Sequence, residues 1–206
     1  MRWLISKQRP QRRLPAEPRR QQPRALALLA LVLWAGCTWG AGQAPTPELR
    51  ARVKAALASA DSFPDRFEAV VWLTDMAGRL GKQVPDPQLR IEILKTAHRE
   101  ATRAELPPEM VLAVIDIESA FNPYAVSTAG AQGLMQVMPF CREELGHRRL
   151  VGVSDNLVMG CTILKYYFDM EKGDWMKALA RYNGSVGRRD YPQKVLDRLR
   201  TRWFQQ

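Results

Sequence analysis

Residues 118–139 read ESAFNPYAVSTAGAQGLMQVMP, and this stretch decides how the chain is interpreted. It follows residues 110–115, MVLAVI, a run that is apolar on every face and predicts a helix buried inside a domain. Pro108 and Glu109 suit the first turn of that helix. Asn122 and Pro123 are expected to stop it, because the residue before a proline disfavours helical geometry. Glu118 is therefore expected in the last turn, where a buried helix reaches the surface.

The expected position of Glu118 favours a protonated carboxyl. A carboxyl at the end of a buried helix is partly desolvated and lies near the negative end of the helix dipole, and both effects favour its neutral form. A protonated acid beside a cleft is what cleavage of a glycosidic bond requires. The alternative is a solvated glutamate without a chemical role, which is the common situation at helix ends.

Four separated blocks of the sequence resemble, in the same order, the signature of the soluble lytic transglycosylase catalytic domain. They are ES at 118–119, GLMQVMP at 133–139, NLVMGCTIL at 156–164, and ALARYNG at 178–184 together with YPQKV at 191–195. The resemblance covers about residues 97–200, roughly half of the chain. It implies a goose-type-lysozyme-like fold and an enzyme that cleaves the glycan strands of bacterial peptidoglycan.

The resemblance also implies a mechanism with one catalytic acid. Glu118 would protonate the glycosidic oxygen between N-acetylmuramic acid and N-acetylglucosamine, and its carboxylate would then take the proton from the 6-hydroxyl of the muramoyl sugar. The product would be a 1,6-anhydromuramoyl end, formed without water. Asp116 is expected on a different side of the helix from Glu118. Substrate-binding roles are implied for Ser119, Gly133, Met135, Gln136, Tyr182, Asn183 and Tyr191, and Tyr191 is also expected to donate a hydrogen bond to the acid.

Each of these supporting residues has a structural alternative. The Ser119 hydroxyl would equally cap a helix end, and Gly130 and Gly133 suit a tight turn as well as close approach to a sugar. Met135 and Gln136 would otherwise pack in the ordinary way. The run YNG at 182–184 is also an ordinary helix ending, and Tyr191 would be a core aromatic.

Three departures from the family pattern bear on substrate preference rather than on the reaction. Arg181 stands where the family usually has alanine before the Tyr-Asn pair. The segment FCR at 140–142 follows Met-Pro where a small residue is usual, and Pro192 follows Tyr191 where many members have a small aliphatic residue.

The net charge of +10 is concentrated at the N-terminus. Residues 1–24 carry eight basic residues and one acidic residue, so the other 182 residues have a net charge of only +3. This weakens a nucleic-acid-binding interpretation, which requires a concentrated basic face on the folded part. Residues 25–35 are an apolar run behind the basic stretch, the layout of a secretory signal. Cleavage near Ala44 and lipidation of Cys37 both stay open.

No cofactor or metal is expected from the sequence. His98 and His147 match no ligand pattern. Cys141 and Cys161 remain after the leader is set aside, and they would either form a disulfide in an oxidising compartment or act as two small apolar residues.

The fold class expected is all-α, a lysozyme-like helical domain with a small N-terminal helical extension. The domains expected are a signal peptide or membrane-targeting leader at 1–44, the extension at 45–94 and the catalytic domain at 95–206. Helices are predicted near 47–60, 64–80, 87–104, 108–118, 141–145, 156–172, 175–182 and 192–204. The chain is expected to be a periplasmic monomer that acts on peptidoglycan strands, with a lipid or leader tether left open.

Two alternatives to the transglycosylase are kept. A hydrolytic lysozyme-like muramidase would use the same acid but admit water. A non-catalytic peptidoglycan-binding protein of the cell envelope would bind the strands without releasing product.

Overall fold

The computed structural model describes residues 62–144 and 150–204. The predicted leader, the predicted helix at 47–60 and Cys37 lie outside the described residues. The helices are α1 (Arg66–Leu80), α2 (Pro87–Arg103), α3 (Pro108–Ser119), α4 (Pro139–Glu144), α5 (Val153–Met170), α6 (Trp175–Tyr182) and α7 (Asp190–Arg198), followed by a π-helical turn, Leu199–Trp203.

Aspartates begin three of these helices. The carboxylate of Asp65 accepts a hydrogen bond from the backbone N–H of Glu68, at 2.8 Å, and starts α1. Asp86 starts α2 in the same way, with Pro87 in its first turn, and Asp174 starts α6. A side-chain acceptor at this position satisfies backbone N–H groups that have no partner inside the helix. The predicted helices beginning near residues 64, 87 and 175 are confirmed.

The helix α3 forms the centre of the structure. Residues 110–116 are all buried, as the apolar run predicts. The helix packs against α2, α7 and the π-helical turn. The buried residues of α1, among them Leu73 and Met76, belong to the same hydrophobic core. The all-α prediction is confirmed for the described ranges, in which β pairing is limited to isolated bridges that connect Val126, Gln132 and Val137.

The end of α3 differs in detail from the prediction. The helix ends at Ser119, four residues before the proline, because Ala120 and Phe121 adopt left-handed backbone conformations with φ of 47° and 65°. This turn carries the Phe121 side chain into the core, where it is 1% exposed and its ring centroid lies 5.2 Å from that of Trp203. Burial of a large aromatic side chain offsets the cost of the unusual backbone.

The C-terminal helix also differs from the predicted 192–204. It begins at Asp190 and changes at Leu199 into a π-helical turn, in which Phe204 N–H bonds the Leu199 carbonyl at 2.8 Å. The turn places Trp203 fully inside the core. The local change of pitch is therefore set by tertiary packing and not by the sequence pattern.

A buried carboxylate joins α3 to this C-terminal segment. Asp116 accepts hydrogen bonds from the Trp203 indole at 3.0 Å and the Gln83 amide at 2.8 Å. The guanidinium groups of Arg198 and Arg202 each lie 3.5 Å from its Oδ2. Arg198 is the last residue of α7, and Arg202 and Trp203 lie in the turn that follows it, so these contacts set the position of α7 against α3. Asp116 thus points away from Glu118, as expected.

Within the described ranges, no helix combines the length and the apolar character needed to cross a bilayer.

Candidate active site

Glu118 lies in the last turn of α3 and accepts a hydrogen bond from Tyr191 of α7. The phenol oxygen is 2.5 Å from Oε1 of the carboxyl, and the two residues are 73 positions apart in the chain. The hydrogen bond expected between Tyr191 and the acid is therefore present. A contact this short between a phenol and a carboxyl holds the carboxyl in one orientation.

The surroundings of Glu118 raise its pKa to about 7. Burial at the end of α3 is the main cause, since desolvation disfavours the charged form, and the hydrogen bond from Tyr191 acts in the opposite direction. Burial and the nearby Glu118 carboxyl also raise the pKa of Tyr191 well above its usual value. Near neutral pH, Glu118 is therefore poised between its acid and base forms, while Tyr191 remains a donor.

The loop at 133–136 is held in place from three helices. Ser119 of α3 donates a hydrogen bond to the Leu134 carbonyl at 2.8 Å, and Tyr182 of α6 donates to the Met135 carbonyl at 2.7 Å. Asn156 of α5 accepts from the Met135 N–H at 2.7 Å. The loop is thus fixed against the end of α3 that carries Glu118.

Asn156 is fully buried and uses both ends of its amide. Its nitrogen donates to the Gln132 and Leu150 carbonyls, at 2.8 and 2.6 Å. The sequence analysis names this residue only as part of a matching block and assigns it no role. At 0% exposure, its amide must be hydrogen-bonded within the protein. In the sequence, the signal for such a structural role was an asparagine inside a predicted amphipathic helix.

Two glycines make room for this arrangement. Gly133 has a φ of +77°, and a Cβ on it would lie 2.3 Å from the amide nitrogen of Asn156. A Cβ on Gly160 would lie 2.3 Å from the sulfur of Met135. Of the alternatives left open for Gly133, the tight turn is the one that these contacts support.

The other loop residues predicted to bind substrate occupy different positions. Met135 is fully buried against α5, so its side chain packs in the core instead of lining a cleft. Gln136 is half-buried, and its amide donates to the Gly133 and Ala125 carbonyls at 2.9 and 3.2 Å. The Ser119 hydroxyl, which donates to the Leu134 carbonyl, also lies 3.2 Å from the carbonyl of Ile115, one turn earlier in α3. In this structure all three shape the loop.

A cavity of about 270 Å³, called here the Tyr191 cavity, opens beside the acid. Glu118 is not part of its lining surface, but its chain neighbour Ile117 and its partner Tyr191 are. The predicted residue Asn183 lines the cavity as well. The remaining lining residues, which the sequence analysis did not single out, are Ser185, Arg188, Asp190 and Lys194.

Tyr182 is close enough to Glu118 to be affected by its charge, but it does not line the cavity. Burial, together with the nearby Glu118 carboxyl, raises the pKa of Tyr182 well above its usual value. Ser185 follows two positions after Asn183, and its Oγ is buried without a hydrogen-bond partner among the described residues. An unpaired hydroxyl in the wall of a cavity is a candidate contact for a polar ligand.

The histidine and the cysteines that the sequence analysis considered lie in packed surroundings. His98 stacks on Phe63 with ring centroids 3.6 Å apart, and burial lowers its pKa to about 4. Cys141 and Cys161 do not form a disulfide in this structure. Burial raises the pKa of the Cys161 thiol to about 12. The described residues contain no group of three or more side chains suited to hold a metal ion.

Comparisons with known proteins agree with the sequence blocks. Residues 95–198 match the family model described as the transglycosylase SLT domain. A transglycosylase of Enterobacteria phage PRD1 is 30% identical over 112 residues, which are 51% of this chain and 42% of the phage protein. Membrane-bound lytic murein transglycosylase D of Escherichia coli strain K12 is 32% identical over 97 residues, 43% of this chain and 21% of that protein.

A solved structure is also similar. It is an inactive mutant of the lytic transglycosylase Slt from Pseudomonas aeruginosa, 23% identical, with a TM-score of 0.47 and coverage of 76% of this chain and 36% of that one. The chain spans less than half the length of the two curated relatives. The family model, however, spans half of the chain itself. This protein therefore belongs to the transglycosylase SLT domain family.

Proposed function

We propose that this protein is a peptidoglycan lytic transglycosylase and that Glu118 acts first as its acid and then as its base. The observation that carries the proposal is the Glu118 carboxyl, half-buried at the end of α3 with a pKa near 7 and a 2.5 Å hydrogen bond to Tyr191. A group that changes protonation near the working pH is suited to give and take the same proton.

In the first step the protonated Glu118 donates its proton to the oxygen between the muramoyl sugar and N-acetylglucosamine. The bond from this oxygen to the anomeric carbon breaks, and the N-acetylglucosamine end leaves with the proton. The N-acetyl group of the muramoyl sugar helps to stabilise the cationic centre.

In the second step the 6-hydroxyl of the same sugar attacks the anomeric carbon, and its proton passes to the Glu118 carboxylate. The product has a 1,6-anhydro end and the enzyme returns to its starting state. Hydrogen bonding by Tyr191 stabilises the carboxylate between the two steps. Without that donor, a half-buried carboxylate would lack compensation for its desolvation.

The supporting residues act mainly by holding the site together. Ser119, Asn156 and Tyr182 fix the loop at 133–136 against α3, which keeps the backbone beside the substrate rigid. Asn183 and Ser185 offer an amide and an unpaired hydroxyl to the sugar in the Tyr191 cavity. The buried Met135 side chain packs against Gly160 of α5 and so supports the loop.

We further propose that the protein works in the bacterial cell envelope. The similarity to proteins named membrane-bound lytic murein transglycosylase supports this location. The domain division at 44 and 94, a periplasmic location, a monomeric state and a tether through Cys37 or the leader remain proposals.

The test is digestion of purified peptidoglycan followed by mass analysis. The wild-type protein should release muropeptides with 1,6-anhydro ends, lighter by one water than the products of a muramidase, and Glu118→Gln should release none while remaining folded. Reducing ends would instead identify a hydrolytic enzyme. Binding of peptidoglycan without any product would identify a binding protein, and turnover by Glu118→Gln would remove Glu118 from the mechanism.

A further inference from the structure

A second cavity, called here the α6 cavity, lies on the other side of the loop that bounds the Tyr191 cavity. Its volume is about 380 Å³, within the range of cavities that bind small ligands. It is lined by one face of α6, by the segment before α6 and by the loop that follows. Its apolar surface comes from Met176, Ala180 and Val186, of which Val186 is 64% exposed.

The charged groups around the α6 cavity are predominantly basic. Four cationic side chains and two carboxylates line it: Lys177, Arg181, Arg188 and Arg189 against Glu171 and Asp174. Such a lining attracts anions, and apolar surface between cations suits a ligand that alternates carboxylates with small apolar groups.

Three of the four cations already have a partner. Arg181 pairs with Glu171, Lys177 lies 3.1 Å from a carboxylate oxygen of Asp174, and Arg188 lies 3.0 Å from Asp190. Among the described residues, the exposed Arg189 side chain has no ion-pair or hydrogen-bond partner. Arg189 is therefore the cation available to a ligand, while the paired residues shape the wall.

The two cavities adjoin across a short, ordered ridge at residues 184–188. Arg188 lines both cavities. The ridge is held by backbone bonds from Ser185 N–H to the Ala180 carbonyl at 2.7 Å and from Arg188 N–H to the Ser185 carbonyl at 2.9 Å. A branch leaving a sugar in the Tyr191 cavity would need to cross only this ridge to reach the α6 cavity.

We propose that the α6 cavity binds the acidic peptide that branches from a glycan strand, with Arg189 pairing with one of its carboxylates. This proposal rests on the proposed function, because it takes the strand to occupy the Tyr191 cavity. The apolar surface at Met176, Ala180 and Val186 contacts the small side chains of the peptide. Arg189 thereby makes the protein prefer strands that still carry their peptides.

The experiment measures binding of soluble glycan strands in a Glu118→Gln background, so that the ligand persists. Two ligands are compared, strands with their peptides and the same strands after an amidase has removed them. Arg189→Gln should raise the Kd for the peptide-bearing strands roughly two- to fivefold and change the Kd for the bare strands much less. The difference should shrink at high salt, which screens an exposed ion pair.

Two controls make the result specific. Arg66→Gln removes the same charge from an exposed position in the first turn of α1 and should leave both Kd values unchanged. When the carboxylates of the peptide-bearing strands are amidated, the Glu118→Gln protein should bind them as weakly as the protein that also carries Arg189→Gln binds the unmodified strands. An equal loss on both ligands, or no loss, would overturn the assignment of the α6 cavity.

The proposed function is tested separately, by the release of 1,6-anhydro ends from bare strands by the wild-type protein. If those ends appear but Arg189→Gln has no effect, only the peptide site is wrong. If no ends appear from either ligand, the enzymatic proposal fails, while the binding comparison still reports on the cavity.

Discussion

Replacing Tyr191 with phenylalanine should move the alkaline limb of the pH–activity profile to higher pH. The phenol donates to the Glu118 carboxyl at 2.5 Å and lowers its pKa, while burial raises that pKa to about 7. A hydrogen bond to a charged group contributes about 1.5–3 kcal/mol, and about 1.4 kcal/mol corresponds to one pH unit. Loss of the bond should therefore raise the pKa of Glu118 by about one to two pH units above its value of about 7.

The measurement is kcat/KM for release of 1,6-anhydro products between about pH 5 and pH 10, which reports the groups of the free enzyme. Because the acid form of Glu118 starts the reaction, the alkaline fall in rate should occur about one to two pH units higher in Tyr191→Phe than in the wild type. The maximum rate should fall, since the carboxylate formed in the first step loses its donor. An NMR titration of the Glu118 carboxyl should show the same displacement.

Tyr166→Phe is the matched control, because it removes a phenol from an exposed position on α5. It should leave the profile unchanged. An alkaline limb that stays in place in Tyr191→Phe, or that moves to lower pH, would refute the argument that Glu118 is the acid and that Tyr191 tunes it.

Three further predictions concern stability. The folded protein holds a proton on Glu118 up to about pH 7, whereas the unfolded chain releases it near 4.5, so the resulting stabilisation is full below 4.5 and is lost as the pH rises through 7. Relative to wild type, Glu118→Gln should therefore be more stable at pH 9 than at pH 5, by up to roughly 3 kcal/mol in paired thermal melts, and an equal difference at both values would contradict the raised pKa. Asn156→Ala leaves the Met135 N–H and two carbonyls buried without their side-chain partner. It should lower the free energy of unfolding, measured by urea titration, by about 2–4 kcal/mol. A loss below about 1 kcal/mol would mean that water replaces the amide. Asp116→Asn leaves two arginines without their carboxylate and should cost about 3 kcal/mol, with wild-type stability as the contrary result.

The order and type of the helices follow closely from local sequence. The acidic residues and prolines that begin α1, α2 and α6 are visible as short-range patterns, and the apolar run at 110–115 predicts a central helix. These signals act within one or two turns of a helix, so they can be read without knowing the fold. The predicted bounds of α6 are the same as those in the structure.

Where a side chain ends up depends on contacts that the local pattern does not contain. Met135 and Gln136 lie in a motif that suggests substrate contact, yet the first is buried against Gly160 and the second bonds its own loop. The π-helical turn and the left-handed end of α3 arise because Phe121 and Trp203 pack against each other across the core.

The sequence by itself determined the helical character of the described ranges and the place of a carboxyl at the end of the most apolar helix, because helix periodicity and capping are short-range. Only the tertiary structure decided the state of that carboxyl. Its raised pKa requires burial by the surrounding helices and a phenol from a residue 73 positions away. The α6 cavity likewise forms only when α6 and the ridge pack together, because its lining residues lie on both. That Arg189 has no side-chain partner among the described residues is visible only once the ion pairs of the neighbouring Arg181, Lys177 and Arg188 are in place.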